Sequence, residues 1–169
     1  MALDPQSADR PLPTRPGARV AVVLSEFHSE LTEAMLAAAQ KELVRGGVAA
    51  DDIEVARVPG AFELPLVARR FARRDTIDAV LCLGLVLKGE TTHDRYVADA
   101  AAHGILQVAL ETDTPVLFGV LTCQTLEQAR ARALPVELGG REDKGREVAR
   151  AALSVLAALD AADEGVHVT

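Results

Sequence analysis

AVLCLGLVLKGETTHDRYV, residues 79–97, is the stretch whose reading decides the fold. Its opening, Ala79 to Leu83, is apolar without the polar alternation of a half-exposed strand, the mark of a strand covered on both faces. A second half-strand, Leu85-Val86-Leu87, follows before the run breaks at Lys88-Gly89-Glu90 and restarts as a helix at Thr91-Thr92-His93. Thr91 with Asp94 three residues on has the spacing of a capping box, although Glu or Gln is the usual partner. A strand, a Gly-containing turn and hydroxyls at a helix N-terminus favour an anion such as phosphate, through free N–H groups and the helix dipole.

Outward from this centre the same alternation repeats. Residues 19–25 (RVAVVLS) read as a first buried strand. The helix after it carries Leu31, Met35, Ala38, Ala39, Glu42 and Leu43 on one face and stops at Gly46-Gly47. Residues 52–58 (DIEVARV) read as a second strand. The helix expected over 61–74 turns Phe62, Leu66, Val67 and Ala68 inward and places Arg69, Arg70, Arg73 and Arg74 at its C-terminal end, as complements to the dipole. After the central stretch come a helix from His93 to about Leu110, a strand over 115–122 (PVLFGVLT), a short helix over 125–133, an irregular connection over 134–143 and a long Ala-rich helix over 144–162. Four strand–helix alternations imply a three-layer α/β sandwich, a four-stranded parallel sheet with helices on both faces. In such sheets ligands sit outside the carboxyl ends of the strands. The segments expected there are 25–27, 59–63, 87–93 and 118–123.

The ends of the chain read differently. Residues 1–18 hold Pro5, Pro11, Pro13 and Pro16 without periodicity, an extended arm expected to be free or laid on a neighbouring subunit. The domain proper is expected over 19–162, and 163–169 as a disordered tail.

Composition removes several functions. The net charge of -7 argues against a general nucleic-acid binder, and no apolar run is long enough for a membrane span. No signal-peptide pattern is visible, so the expected location is cytoplasmic. No GxxxxGK[ST] or GxGxxG motif follows any strand. Cys82 and Cys123 lie in apolar strands without metal-ligand spacing and read as buried structural thiols; no metal site is expected. His103 and His167 read as incidental. Hydrophobic residues make up 49% of the chain and aromatics only 3%, so the core must be built from Ala, Val and Leu.

Five motifs in order, VPGAFELP (58–65), LGLVLKGETTH (83–93) followed by Tyr96-Val97, PVLFGVLT (115–122), LEQA (126–129) and DKG (143–145), resemble the lumazine synthase family. The resemblance covers about residues 19–162. It implies a flavodoxin-like fold and a cofactor-independent condensation of 5-amino-6-(D-ribitylamino)uracil with 3,4-dihydroxy-2-butanone 4-phosphate. Carried over by position, it makes Phe27 the aromatic stacked on the pyrimidinedione. Ala61, Phe62 and Glu63 become the loop holding that substrate, and Leu85, Val86 and Leu87 the backbone that reads the ring edge. It places Glu90 and Thr91 on the phosphate side, His93 as acid/base, Phe118 in the pocket wall and Arg132 on the phosphate, with Arg130 as competitor. Lys144 and Glu147 line the subunit boundary.

The chemistry of these side chains suits the roles. Imine formation, phosphate elimination and ring closure all move protons, which an imidazole can relay near neutrality. Arg132 offers a planar cationic fork for phosphate oxygens, and Phe27 a flat apolar face. Four positions depart from the family pattern. Arg95 stands where an acidic residue is usual, with Asp94 beside it, and Lys88 stands for Arg. Glu26 replaces a basic residue and His28 an Asn. The resemblance further implies a homopentamer, with an icosahedral shell of pentamers as the alternative, active sites between subunits, and riboflavin synthase as a candidate partner. The competing readings are an archaeal-type riboflavin synthase and a lumazine- or flavin-binding or shell-forming scaffold of impaired activity.

Overall fold

A computed structural model of the chain describes residues 11–165. The first ten residues of the expected arm, the last four of the expected tail and His167 among them lie outside the described residues. Four strands, β1 (Val20–Ser25), β2 (Ile53–Val58), β3 (Ala79–Leu87) and β4 (Val116–Cys123), form one parallel sheet in the order β2-β1-β3-β4. Five helices cover it: α1 (Ser29–Arg45), α2 (Leu64–Ala72), α3 (His93–Thr112), α4 (Leu126–Ala133) and α5 (Lys144–Asp163). The expected three-layer α/β sandwich is the observed one.

The period-two alternation of each strand sorts its side chains into two cores. Val20, Val22 and Leu24 of β1 with Leu81, Leu83 and Leu85 of β3 pack under α1, α4 and α5, against Met35, Leu43, Ala149 and Leu153. Ala21, Val23, Val80, Cys82 and Val86 face the other way, under α2 and α3, against Leu64, Ala68, Ala101 and Ile105. Strand β3 is apolar throughout because both of its faces are covered. It is one strand rather than two halves, since its ladder to β4 runs unbroken through the Gly84–Val120 pair.

Three local expectations are corrected. The helix expected over 61–74 begins as a 3-10 turn, Ala61–Glu63, and becomes α-helical only at Leu64–Ala72, with Pro65 in the first turn where a missing N–H costs nothing. That change of period rotates the register, so Leu64, Ala68 and Ala72 are buried whereas Phe62 (61%) and Leu66 (65%) are exposed rather than inward. The capping box of Thr91 and Asp94 does not form: Thr92 is the N-cap residue of α3, without a side-chain cap, and Thr91 Oγ1 only accepts a long bond, 3.4 Å, from His93 N–H. α5 runs through Asp163, into the segment expected to be a tail.

Residues 11–18 lie on the chain's own body. The Arg15 N–H donates to Gly46 O at 2.7 Å, and its guanidinium pairs with Asp160 and donates to Leu156 O on α5. Leu12 and Ala18 pack on the α1/α5 core.

The α1–α5 contact is close because one position lacks a side chain. An ideal Cβ on Gly145 would overlap the Met35 carbonyl of α1. Both ends of that overlap are backbone, so no rotamer change relieves it. Gly145→Ala is therefore expected to push α5 off α1 and destabilise the protein by about 2 kcal/mol, near the middle of the range for overpacked cores. Urea or thermal unfolding reads the loss, and an unchanged midpoint would refute the close packing.

Candidate functional site

All four strands point the same way, so their carboxyl ends and following loops share one edge of the sheet. Between β1 and β3 the chain order reverses: β1 connects outward to β2, and the chain then crosses back to β3. A crevice opens at such a switch point.

Register makes the crevice deeper. The β1–β3 ladder stops at the Leu24–Leu83 pair, whereas the β3–β4 ladder continues to Leu87–Cys123. Beyond Ser25 the chain stays with β2 instead: Glu26 and Phe27 donate their N–H groups to Val58 O (2.9 Å) and Pro59 O (3.2 Å). The last residues of β3 are thus paired on the β4 side and leave their other edge open to the crevice.

A cavity of about 420 Å³ fills this place. Its lining includes Phe27, Ala61, Phe62, Glu63, Leu85, Val86, Leu87, Thr91 and His93, nine of the residues singled out in the sequence. Three separate loops and the end of β3 therefore supply one hollow. Six others do not line it. Glu90 is exposed in the turn before α3. Phe118 pairs with Cys82 early in β4, five residues before the Leu87–Cys123 end. It lies roughly 16 Å back along the strand, not at the carboxyl end where its motif suggested. Arg132 lies on α4, with Nη1 donating to Gln128 O at 3.3 Å and Nε 3.9 Å from Glu142. Arg130 faces Glu30 at 3.6 Å. Lys144 and Glu147 pair with each other at 2.5 Å in the first turn of α5.

Within the cavity each aromatic and polar group has a local cause. Phe27 lies against Gly60, where a Cβ would come within 3.1 Å of the ring, and leaves 65% of itself exposed. Glu63 turns back to accept the Gly60 N–H at 3.0 Å through one carboxylate oxygen, fixing the 3-10 turn. His93 opens α3, exposed, and among the described residues no side chain hydrogen-bonds its imidazole. Asp94 also lines the cavity, whereas Arg95, at the position usually acidic, does not.

Gly60, Gly89, Val97 and His28 line the hollow as well, without having been picked out as site residues. Gly60 carried a signal, following Pro59 at the end of a strand. His28 has φ 59° and ψ 46°, a left-handed conformation at the N-cap of α1. A side chain held there costs of order 1 kcal/mol, less for His than for branched residues.

Both cysteines are free and buried, an environment that disfavours the thiolate. Complete burial pushes Cys82 far above its ordinary range, and burial raises Cys123 too, against the opposing charge of Arg132. Asp143, which caps α5 by accepting the Arg146 N–H at 3.0 Å, is also raised, chiefly by burial. Among the described residues no group of three His, Cys, Asp or Glu is placed to hold a metal, and no helix is long and apolar enough to cross a membrane.

A family model described as 6,7-dimethyl-8-ribityllumazine synthase matches residues 17–160. Proteins of that name are similar over most of their length. The one from Thermus thermophilus is 42% identical over 152 residues, 89% of this chain and 94% of the relative. The one from Salinibacter ruber is 44% identical over 140 residues, 82% and 86% of the two chains. The one from Protochlamydia amoebophila is 42% identical over 143 residues, 85% and 81%. With the family's motifs on the strand ends of a parallel sheet, the chain belongs to the 6,7-dimethyl-8-ribityllumazine synthase family.

Proposed function

We propose that the chain joins 5-amino-6-(D-ribitylamino)uracil to 3,4-dihydroxy-2-butanone 4-phosphate, giving 6,7-dimethyl-8-ribityllumazine, phosphate and two waters. The observation that carries this reading is a single cavity holding an exposed aromatic face, an open strand edge and an unbonded imidazole. A flat heterocycle would lie on Phe27, with the backbone groups of Leu85, Val86 and Leu87 answering the donors and acceptors of its edge as a partner strand would. The second oxygen of Glu63 would take hydroxyls of the ribityl chain. His93, free of side-chain partners and at the mouth, would carry protons between amine, carbonyl and leaving groups.

Glu90 and Thr91 would flank the phosphate end, beside the N-terminus of α3 with its positive dipole end. Arg132, Phe118, Lys144 and Glu147 do not line this chain's own cavity. In the proposed homopentamer each would complete a neighbour's site. The longer connection over 134–143 favours isolated pentamers over an icosahedral shell. Sedimentation of the purified protein is expected to give a species of five chains, and a megadalton particle would favour the shell. Cytoplasmic location and hand-over of product to riboflavin synthase complete the reading.

Arg95 favours a second reading, a binding or scaffold protein of impaired activity, because the carboxylate that would orient His93 is absent from its usual position. Turnover decides between them. Mixed with both substrates, the protein is expected to accelerate lumazine formation and phosphate release well above the uncatalysed rate. His93→Ala should then lower kcat roughly a hundredfold with little change in KM, the size of a lost general acid–base contribution. Arg132→Ala should raise KM for the phosphate ester roughly tenfold or more, as expected for a charged hydrogen bond. If Arg130→Ala has that effect instead, the phosphate arginine is one half-turn earlier on α4.

A further inference from the structure

Gly60 lines the cavity as a buried, extended residue, with φ -143° and ψ -177°. Any L residue adopts that backbone, so conformational freedom does not account for a glycine here. Space does. A Cβ on Gly60 would come within 3.1 and 3.2 Å of Phe27 Cδ2 and Cε2, and within 3.3 Å of Glu63 Oε2. The same residue donates its N–H to Glu63 Oε2 at 3.0 Å. One missing side chain thus lets an aromatic ring and a carboxylate close on the same short piece of backbone.

Little else fixes the ring. Phe27 is mostly exposed and belongs to neither core. It also borders a second hollow, shared with Glu30, Leu31 and Leu126, so open space lies on more than one side of it. Its backbone is tied to β2 through the bond from its N–H to Pro59 O, one residue before Gly60. The ring is therefore placed where it meets the glycine. Glu63 is held from the same point, since its bond to the Gly60 N–H closes the 3-10 turn over Ala61–Glu63.

We infer that Gly60 is a positioning residue: by lacking a side chain it sets the ring of Phe27 and the carboxylate of Glu63 in register with each other. The inference rests on the reaction proposed above and deepens it, because ring and carboxylate would take the two ends of one substrate, heterocycle and ribityl chain. Alanine would push the ring, the freer of the two neighbours, away from the backbone by a few tenths of an ångström. Stacking and the ribityl hydrogen bonds could then not both be met in one pose.

Steady-state kinetics of wild type, Gly60→Ala, Phe27→Ala and the double variant test this, with each substrate varied in turn. Gly60→Ala is expected to raise KM for the aminopyrimidine roughly tenfold, the size of a lost aromatic contact. KM for the phosphate ester and kcat should stay within about threefold, as for a loss of ground-state binding alone. In the Phe27→Ala background the same substitution should cost less than about threefold, because the ring it displaces is gone. An unchanged KM in Gly60→Ala overturns the inference, and so does full additivity of the two effects. A readout without substrate keeps the test independent of the reaction. Protein labelled with 4-fluorophenylalanine carries a fluorine NMR reporter on each of its four phenylalanines, each assigned by its loss on substitution to Leu. Gly60→Ala should move the Phe27 signal and leave those of Phe71 and Phe118 in place, which also shows that the variant is folded. An unmoved Phe27 signal overturns the inference whether or not the wild type turns over. A moved signal in a protein that does not turn over upholds the positioning of the ring and sinks the proposed reaction.

Discussion

Strand β3 is held by two ladders of unequal length, and the site depends on that inequality. On one side it is tied to β4 as far as Leu87; on the other, β1 lets go at Leu83. A strand buried on both faces cannot leave backbone groups unpaired in its interior without penalty. The overhang therefore has to lie at the sheet's edge, where ligand or water can reach it. The sequence enforces this by switching β1 from Ser25 into Glu26-Phe27, which follow β2. Ser25 itself is fully buried at the point of departure, and among the described residues its hydroxyl has no hydrogen-bond partner. An orphan of this kind costs of order 1–3 kcal/mol, and it stands directly beside the place where the ladder is interrupted.

The placement of aromatic residues follows from the same economy of space. A core of Ala, Val and Leu lets helices lie close to the sheet and to each other, as the contact of Gly145 with the α1 backbone shows. Between α1 and α5 the remaining polarity is gathered on one buried carboxylate, Glu42, which meets Arg150 at 2.9 Å, Arg45 at 3.5 Å and Arg146 at 3.6 Å. Phe71 packs partly buried against the core under α2 and α3, whereas Phe27, Phe62, Phe118 and Tyr96 are all exposed. Two of these four stand on one cavity wall. Rings that stabilise nothing by burial are there for a surface that something else covers.

The strands and their order of use were legible because three apolar runs without alternation and one alternating run, residues 52–58, separated by helices, admit one architecture. Strand–loop motifs then located nine residues of one cavity, since a parallel sheet brings such loops together whatever their spacing in sequence. Phe62 and Leu66 were misread as inward because a helical period was assumed from Ala61, and a 3-10 turn advances by three residues, not 3.6. His28 was passed over as a site residue because nothing in its own letter announces a left-handed backbone. Phe118 was placed at a strand end by its motif, whereas its position is fixed by register against β3, a long-range property that no local pattern carries.

Electrostatics bears on how the proposed oligomer would serve the cavity. The cavity lining contains Glu63 and Asp94, two imidazoles and no Lys or Arg. The proposed second substrate is a phosphate ester carrying nearly two negative charges at neutral pH, and a crevice whose only permanent charges are carboxylates would repel it. The α3 N-terminus offsets part of this, by the few tenths to one kcal/mol that a helix end supplies at an exposed position. Lys88 is exposed in the loop between the lining residues Leu87 and Gly89, whereas Arg132 and Lys144 answer Glu142 and Glu147 elsewhere on the same chain. Those pairs are partly exposed, so exchanging a surface carboxylate for a phosphate costs little. In the proposed oligomer, an assembly that presents this arginine face to the next subunit's cavity would supply positive charge where the acidic lining most needs it.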